Sequence, residues 1–123
     1  MFVKFGERSF VKMNDILNFI KIFQTPETTK VFTNGCCYWF AVILSKRFEQ
    51  STIMYNPVEN HFATRIKDGL YDITGRLEFT CHYKYVNGVQ EYDGHWIAWD
   101  SYSCYDSLNR ERVYKQCILK IYD

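Results

Sequence analysis

A cysteine at the start of a predicted helix is the residue in this sequence best placed to act as a nucleophile. The run Asn34-Gly35-Cys36-Cys37 puts a flexible turn before a helical pattern, in which apolar residues recur three or four positions apart as far as Phe48. The free N–H groups and positive end of a helix stabilise a thiolate, and they also stabilise the oxyanion that forms when it attacks a carbonyl. The alternative is a cysteine that serves only as a small buried hydrophobe.

Two further residues would complete a thiol catalytic triad with Cys37. His61 opens a strand-like run, and its imidazole could deprotonate the thiol and later protonate a leaving group. Asp72 follows on the return strand of a predicted hairpin, where a carboxylate would orient the imidazole and stabilise its charged form. The alternatives are a structural histidine and a turn-forming aspartate. His82, in the polar alternation of a strand, and His95, far along the chain, fit a structural role better.

The predicted hairpin places His61 and Asp72 on one face of the sheet. Asp68-Gly69 is a turn signal that would set Arg65 opposite Asp72, and His61 shares a face with Arg65 because side chains alternate along a strand. His61 and Asp72 would then be offset by about 13 Å of flat strand. Their contact therefore requires a strongly twisted or bulged hairpin.

The elements that would position these residues predict a single α+β domain over residues 1–123. An apolar stripe predicts a helix from Met13 to Phe23, which Thr25-Pro26 would end. The other predicted elements are a strand at 2–10, an extended segment at 30–34, strands at 52–55, 61–66, 70–74 and 77–86 with a turn at 87–88, a helical pattern from about 94, and a last helix capped at Asp106-Ser107. This order predicts N-terminal helices packed on a small antiparallel sheet, with a helical C-terminus.

The same residues, in this order, resemble the papain-like cysteine peptidase superfamily, and in particular its small bacterial and phage NlpC-type and transglutaminase-like domains. The stretch G-C-C-Y-W-F-A-V-I-L resembles the cysteine helix of that superfamily, and N-H-F-A-T-R-I-K-D-G-L-Y-D-I-T-G resembles its histidine–aspartate hairpin. The resemblance implies a papain-like fold in which Cys37 is the nucleophile, Ala41 the small residue one turn later, and His61 and Asp72 the rest of the triad.

The sequence departs from that superfamily at two positions. It has no glutamine one turn before the cysteine, so Asn34 is the candidate side-chain oxyanion donor, unless a backbone N–H serves alone. The neighbouring Cys36 is the alternative nucleophile. Residues 76–123 match no pattern that we can name.

Composition and charge argue against several other classes of protein. Fifteen basic and 14 acidic residues give a net charge of +1, which favours neither nucleic acid nor an anionic membrane as partner. The five cysteines are an odd number without a C-x-x-C pair, so we expect neither a disulfide framework nor a metal site, and no cofactor. The N-terminus lacks a long apolar core, and the longest apolar run, 36–44, is too short to span a bilayer, so a cytoplasmic protein with reduced thiols is expected.

Two functions from different classes fit these observations. The first is a cysteine-dependent hydrolase or acyltransferase that acts on a peptide, isopeptide or amide bond. The second is a catalytically silent phage or mobile-element protein that binds and inhibits a host protein, because exposed aromatic side chains suit interfaces. The aromatic residues of the second half are Tyr83, Tyr85, Tyr92, Trp96, Trp99, Tyr102 and Tyr105.

Overall fold

The computed structural model describes residues 12–33 and 35–100. Within these ranges the helices are α1 (Met13–Phe23), α2 (Pro26–Thr33) and α3 (Cys37–Arg47). The strands are β1 (Ser51–Asn56), β2 (His61–Ile66), β3 (Gly69–Asp72), β4 (Gly75–Leu77), β5 (Tyr83–Val86), β6 (Val89–Tyr92) and β7 (Trp96–Ala98). The predicted strand at 2–10 and the predicted last helix at Asp106-Ser107 lie outside the described residues. No helix in the described ranges is long and apolar enough to cross a bilayer.

The strands form one antiparallel sheet in the order β4-β3-β2-β1-β7-β6-β5. Strands β1 to β4 follow one another in a meander, and β7 returns to pair with the other edge of β1. β2 and β3 are therefore inner strands, whereas β5 is an edge strand. The predicted α+β class with an antiparallel sheet is confirmed.

The helices pack on one face of the sheet and bury its main apolar core. α1 contributes Ile16 and Ile20, α3 contributes Phe40 and Leu44, and the sheet contributes Ile66 among others. Burying one such side chain stabilises the fold by about 1.5–3 kcal/mol. This layer fixes α3 against the inner strands.

The contact between α3 and β2 is close enough for a hydrogen bond between the two elements. The hydroxyl of Thr64, which is fully buried, donates to the backbone carbonyl of Ala41 at 2.9 Å. A larger side chain than that of Ala41 would separate the helix from the strand at this point. The small residue one turn after Cys37 thus brings the start of α3 to the start of β2.

The opposite face of the inner strands is also covered. Met54, Ala63, Leu70 and Trp96 form a buried cluster there. Beside it, the guanidinium of Arg65 lies 5.0 Å from the ring centre of a tyrosine on β6 and donates to the hydroxyl of that residue, Tyr92, at 2.8 Å. Inner strands with both faces covered hold their polar side chains away from water.

The prediction of an extended segment at 30–34 was wrong, because α2 occupies Pro26–Thr33. The Thr25-Pro26 pair ends α1, as predicted, but it also begins α2. Thr25 accepts from the N–H of Thr28 at 3.1 Å, and Thr28 Oγ1 accepts from the N–H of Thr25 at 3.0 Å. These reciprocal bonds form a capping box, and proline is favoured at the first helical position.

Two predictions for the second half of the sheet were also wrong. The strand expected at 77–86 is interrupted between Leu77 and Tyr83, and the helix expected from about 94 begins only at Trp99, after strand β7, with its further course outside the described residues. β7 pairs with β1 and β6, and the carbonyl of Gly94 just before it accepts from Asn56 Nδ2 at 2.7 Å. These long-range hydrogen bonds outweigh the local helical spacing of the aromatic residues. The turn predicted at Asn87-Gly88 is present, with positive φ at both residues.

Candidate active site

Cys37 is the first residue of α3, and Cys36 is its N-cap. Gly35 precedes them with φ 104°, a conformation that glycine adopts without strain. Cys37 is 6% exposed and Cys36 is 1% exposed. The thiol of Cys37 therefore lies in a nearly water-free position, next to the free N–H groups at the positive end of a buried helix. The candidate oxyanion donor, Asn34, lies outside the described residues.

The sulfur of Cys37 also contacts the start of β2. The backbone N–H of Phe62 donates to Cys37 Sγ at 3.4 Å. A backbone donor of this kind stabilises negative charge on sulfur. Sequence reasoning missed this group because a main-chain donor leaves no residue signature; its only signal is that it follows His61 directly.

The hairpin that carries His61 and Asp72 turns one residue earlier than predicted. The two residues of the turn are Lys67-Asp68, not Asp68-Gly69, and Ile66 pairs with Gly69. A Cβ at Gly69 would lie 2.6 Å from the hydroxyl of Tyr71. Gly69 thus lies within strand β3, where the ring of Tyr71 leaves no room for a side chain. Lys67, with φ 58°, adopts the left-handed conformation of the turn.

This register brings the two side chains closer than expected. Arg65 pairs with Leu70, so the predicted pairing of Arg65 with Asp72 was wrong. Continuing the ladder sets Ala63 opposite Asp72, which leaves His61 two residues away along β2 instead of four. Diagonal neighbours on one face are within reach of long side chains. No bulge is required for His61 to meet Asp72.

His61 and Asp72 are directly hydrogen-bonded. Nε2 of the imidazole lies 2.9 Å from Oδ2 of the carboxylate, and their side chains are 22% and 8% exposed. The side chain of Cys37 is the other polar group beside the imidazole. Since Asp72 engages Nε2, the remaining nitrogen, Nδ1, is the one available to the sulfur. The structure therefore brings Cys37, His61 and Asp72 together in that order.

The environment of His61 favours its charged form. Burial by itself lowers the pKa of His61, but the hydrogen bonds to Asp72 and Cys37, and the charges of both groups, raise it to about 10. For Asp72, burial raises the pKa, and the hydrogen bonds from His61 and Thr74 lower it below the usual value. These contacts favour an imidazolium between the carboxylate of Asp72 and the sulfur of Cys37.

The turn before His61 is held by three polar side chains whose role sequence reasoning missed. Oδ1 of the buried Asn56 accepts from the N–H groups of Val58 and Glu59, and the hydroxyl of Tyr55 donates to Oδ1 of Asn60 at 2.9 Å. Asn60 itself has φ 51°, which asparagine tolerates better than most residues. The asparagines in the run N-P-V-E-N before the histidine are the signal for this turn.

The other candidate residues lie apart from this cluster. His82 and His95 are exposed and lie 3.9 Å from Asp93 and Glu91, respectively. Cys81 is an exposed free cysteine, and Cys104 and Cys117 lie outside the described residues. Within residues 12–33 and 35–100, no group of three His, Cys, Asp or Glu side chains is placed to hold a metal ion.

Comparison with known proteins identifies a family for the chain. The family model of the phage YunG-like protein matches residues 16–116, a range that contains Cys37, His61 and Asp72. Comparison with curated proteins and with solved structures gave no match. Because the family model covers more than half of the sequence, the chain belongs to the phage YunG-like family.

Proposed function

We propose that this protein is a cysteine-dependent hydrolase or acyltransferase of papain-like type that acts on a peptide, isopeptide or amide bond. The observation that carries this proposal is the hydrogen bond between His61 and Asp72, with Cys37 beside the imidazole at the N-terminus of a buried helix. A purely structural histidine would not need both a carboxylate on one nitrogen and a thiol beside the ring. Nucleophile, base and orienting group in this order are the parts of a thiol acyl-transfer site.

The arrangement supports a two-step reaction. The thiolate of Cys37 attacks the carbonyl carbon of the scissile bond, and the resulting oxyanion is stabilised by N–H groups at the start of α3. The imidazolium of His61 then gives its proton to the departing amine, which leaves a thioester on Cys37. In the second step the neutral imidazole takes a proton from water, or from an acceptor amine, as that molecule attacks the thioester; the acyl product departs, and the thiolate and the imidazolium are restored.

Asp72 supports both steps without being protonated. Its carboxylate holds the imidazole by Nε2 and stabilises the imidazolium present before the first proton transfer. Inner strands with both faces covered strengthen these electrostatic contacts, because water screens them less than at the surface.

The test is alkylation of the native protein with limiting iodoacetamide at about pH 5.5, where an ordinary thiol is almost wholly protonated. We expect peptide mapping to find the label on Cys37, although Cys37 is nearly buried and Cys81 is exposed. The matched control is Cys81→Ser, in which labelling should be unchanged. A label that follows exposure and falls mainly on Cys81 would refute the proposal, and a label on Cys36 would move the nucleophile by one residue.

A p-nitrophenyl ester provides a second, chemical test. An acyl adduct on Cys37, detected by intact mass and lost in Cys37→Ala, would demonstrate the first step. Release of the adduct in water alone would favour a hydrolase, and release only with added amine would favour an acyltransferase.

A catalytically silent protein that binds a host protein is the second candidate, and the β5–β6 hairpin is the observation that favours it. The side chains of Tyr83 and Tyr85 are 50% and 68% exposed on the edge strand of the sheet, next to Val86. Exposed tyrosines are typical of protein interfaces. A Cys37 thiol that reacts no faster than a free cysteine would support this candidate over the enzyme.

A further inference from the structure

We propose that Thr74 is a positioning residue for this site: it fixes the carboxylate of Asp72 so that Oδ2 faces His61 and the imidazole stays directed at Cys37. The hydrogen-bonding part of this inference stands on the geometry alone. Its consequence for turnover rests on the proposed function.

The two oxygens of Asp72 have separate partners. Oδ1 accepts from the N–H of Thr74 at 2.8 Å and from Thr74 Oγ1 at 2.5 Å, whereas Oδ2 meets His61 Nε2 at 2.9 Å. The terminal torsion of an aspartate is broad, so a carboxylate held at one oxygen only can turn about its axis. Two donors from one residue on Oδ1 prevent that rotation and leave Oδ2 to the imidazole.

The position of Thr74 is itself fixed. Thr74 lies in the two-residue turn between β3 and β4, which closes on the pairing of Asp72 with Gly75. Its neighbour Ile73 is buried in the helix-side core, and the carbonyl of Ile73 accepts from Gln24 Nε2 at 2.7 Å. The turn is thus held from the core and from the end of α1. The side chain of Thr74 is exposed, so its removal tests a hydrogen bond and not the packing of the core.

The hydroxyl is the part of Thr74 that substitution can remove. Thr74→Val keeps the shape of the side chain and the backbone N–H but loses the Oγ1 donor, and Thr74→Ser keeps the donor. A matched control is Thr80→Val, because Thr80 Oγ1 donates to Asp93 at 3.0 Å in an exposed pair away from the site.

The experiment uses the full chain and two readouts. The first is the pKa of His61, followed by NMR of the ring; the second is the rate of Cys37 alkylation by iodoacetamide across pH. We expect Thr74→Val to lower the His61 pKa and to slow alkylation at about pH 5.5 by about tenfold, the effect of losing one hydrogen bond to a charged group. Thr74→Ser and Thr80→Val should behave as wild type.

The outcomes separate this inference from the proposed function. If Thr74→Val equals wild type in both readouts, or if Thr74→Ser loses as much as Thr74→Val, the inference is overturned. If Cys37 is unreactive in wild type, the proposed function fails, but the His61 titration still decides whether Thr74 controls the imidazole. A fall in melting temperature in Thr74→Val, with the His61 pKa unchanged, would assign the hydroxyl to stability and would also overturn the inference.

Discussion

Two histidine–aspartate pairs in this protein have the same separation along the chain and opposite surroundings. His61 and Asp72 are 11 residues apart, and so are His82 and Asp93. Each pair stands at the open end of a hairpin. Yet Nε2 and Oδ2 of the first pair are 2.9 Å apart with side chains 22% and 8% exposed, whereas the second pair is 3.9 Å apart with side chains 90% and 63% exposed.

The difference comes from what covers each hairpin, since both hairpins begin with a histidine and end with Tyr-Asp. β2 and β3 are inner strands, and the start of α3 lies directly over the start of β2. β5 is an edge strand with all of its residues exposed. Water screens an ion pair at the surface, which contributes about 0–1 kcal/mol, whereas the covered pair raises the pKa of His61 to about 10. The spacing of histidine and acid thus permits a contact, and burial decides whether it can serve chemistry.

Threonines also accompany both aspartates, but they contact them differently. Thr80 donates to Oδ2 of Asp93, the same oxygen that lies nearest His82. Thr74 donates to Oδ1 of Asp72 and leaves Oδ2 to His61. Only in the pair His61–Asp72 does the threonine leave one carboxylate oxygen to the histidine alone. The exposed pair His82–Asp93, with its threonine, therefore provides a control variant for each of the corresponding residues of this inner pair.

The largest expected effect of breaking the inner pair is on turnover. Asp72→Asn keeps the size of the side chain but loses the charge that stabilises the imidazolium, and it favours the wrong tautomer of His61. In a comparable triad this change costs about 10⁴-fold in rate. We expect a loss of that order in turnover of a p-nitrophenyl ester, and no loss in Asp93→Asn.

A small effect of Asp72→Asn would give Asp72 a different role. If turnover in Asp72→Asn stays within a few-fold of wild type, Asp72 serves as a turn former, because asparagine also suits such turns. An equal loss in Asp93→Asn would indicate a general effect of charge on the sheet, not orientation of His61.

The next largest effect concerns the reactivity of the thiol. His61→Ala removes the positive partner of the Cys37 thiolate, so the rate of alkylation at about pH 5.5 should fall by roughly 100- to 1,000-fold, towards that of a free cysteine. His82→Ala should leave the rate unchanged. Equal rates in wild type and His61→Ala would show that the imidazole does not activate Cys37, whatever their distance.

The third prediction compares how a Gly→Ala substitution in each hairpin changes the stability of the fold. Gly69→Ala would place a methyl group 2.6 Å from the hydroxyl and 2.8 Å from a ring carbon of the buried Tyr71, so the ring must move within the core. We expect a loss of about 1–3 kcal/mol in the free energy of unfolding by urea denaturation. Gly88→Ala, in the outer hairpin, meets no atom within 4 Å and should lose only the roughly 1 kcal/mol cost of a left-handed residue. The reverse order would show that Tyr71 can shift without cost.

The sequence predicted the local elements of this fold better than their register. The apolar stripe of α1, the start of α3 at Cys37 and the turn at Asn87-Gly88 follow from local patterns, and the structure has all three. The hairpin register did not follow, because Asp68-Gly69 is a strong turn signal and the contact of Gly69 with Tyr71 is visible only once the sheet forms. The catalytic roles of the three site residues stay predictions.

Sequence reasoning missed those parts of the site that leave no recognisable residue pattern in the sequence. The N–H of Phe62 is a backbone donor, and β7 is a three-residue strand that pairs with the distant β1 as well as with its neighbour β6. Thr74 was visible as part of a turn, but its contact with one oxygen of Asp72 depends on the exact closure of β3 on β4. Local propensity carries no information about such contacts.

The smallest expected effect is on the pH dependence of stability, and its sign follows from His61. The pKa of His61 is about 10 in the folded chain and about 6.5 in the unfolded chain, so the folded state holds the proton more tightly. The stability from this group is complete below about pH 6.5 and is lost as the pH rises towards 10.

We expect the melting temperature of wild type to fall by a few degrees more between pH 6.5 and 9.5 than that of His61→Ala. Tyr71 does not interfere in this window, because burial raises its pKa above 10. His82→Ala should retain the full slope of wild type. If wild type and His61→Ala lose stability in parallel, the imidazole is not held as a cation in the folded protein, and the burial of the inner pair has no electrostatic consequence for stability.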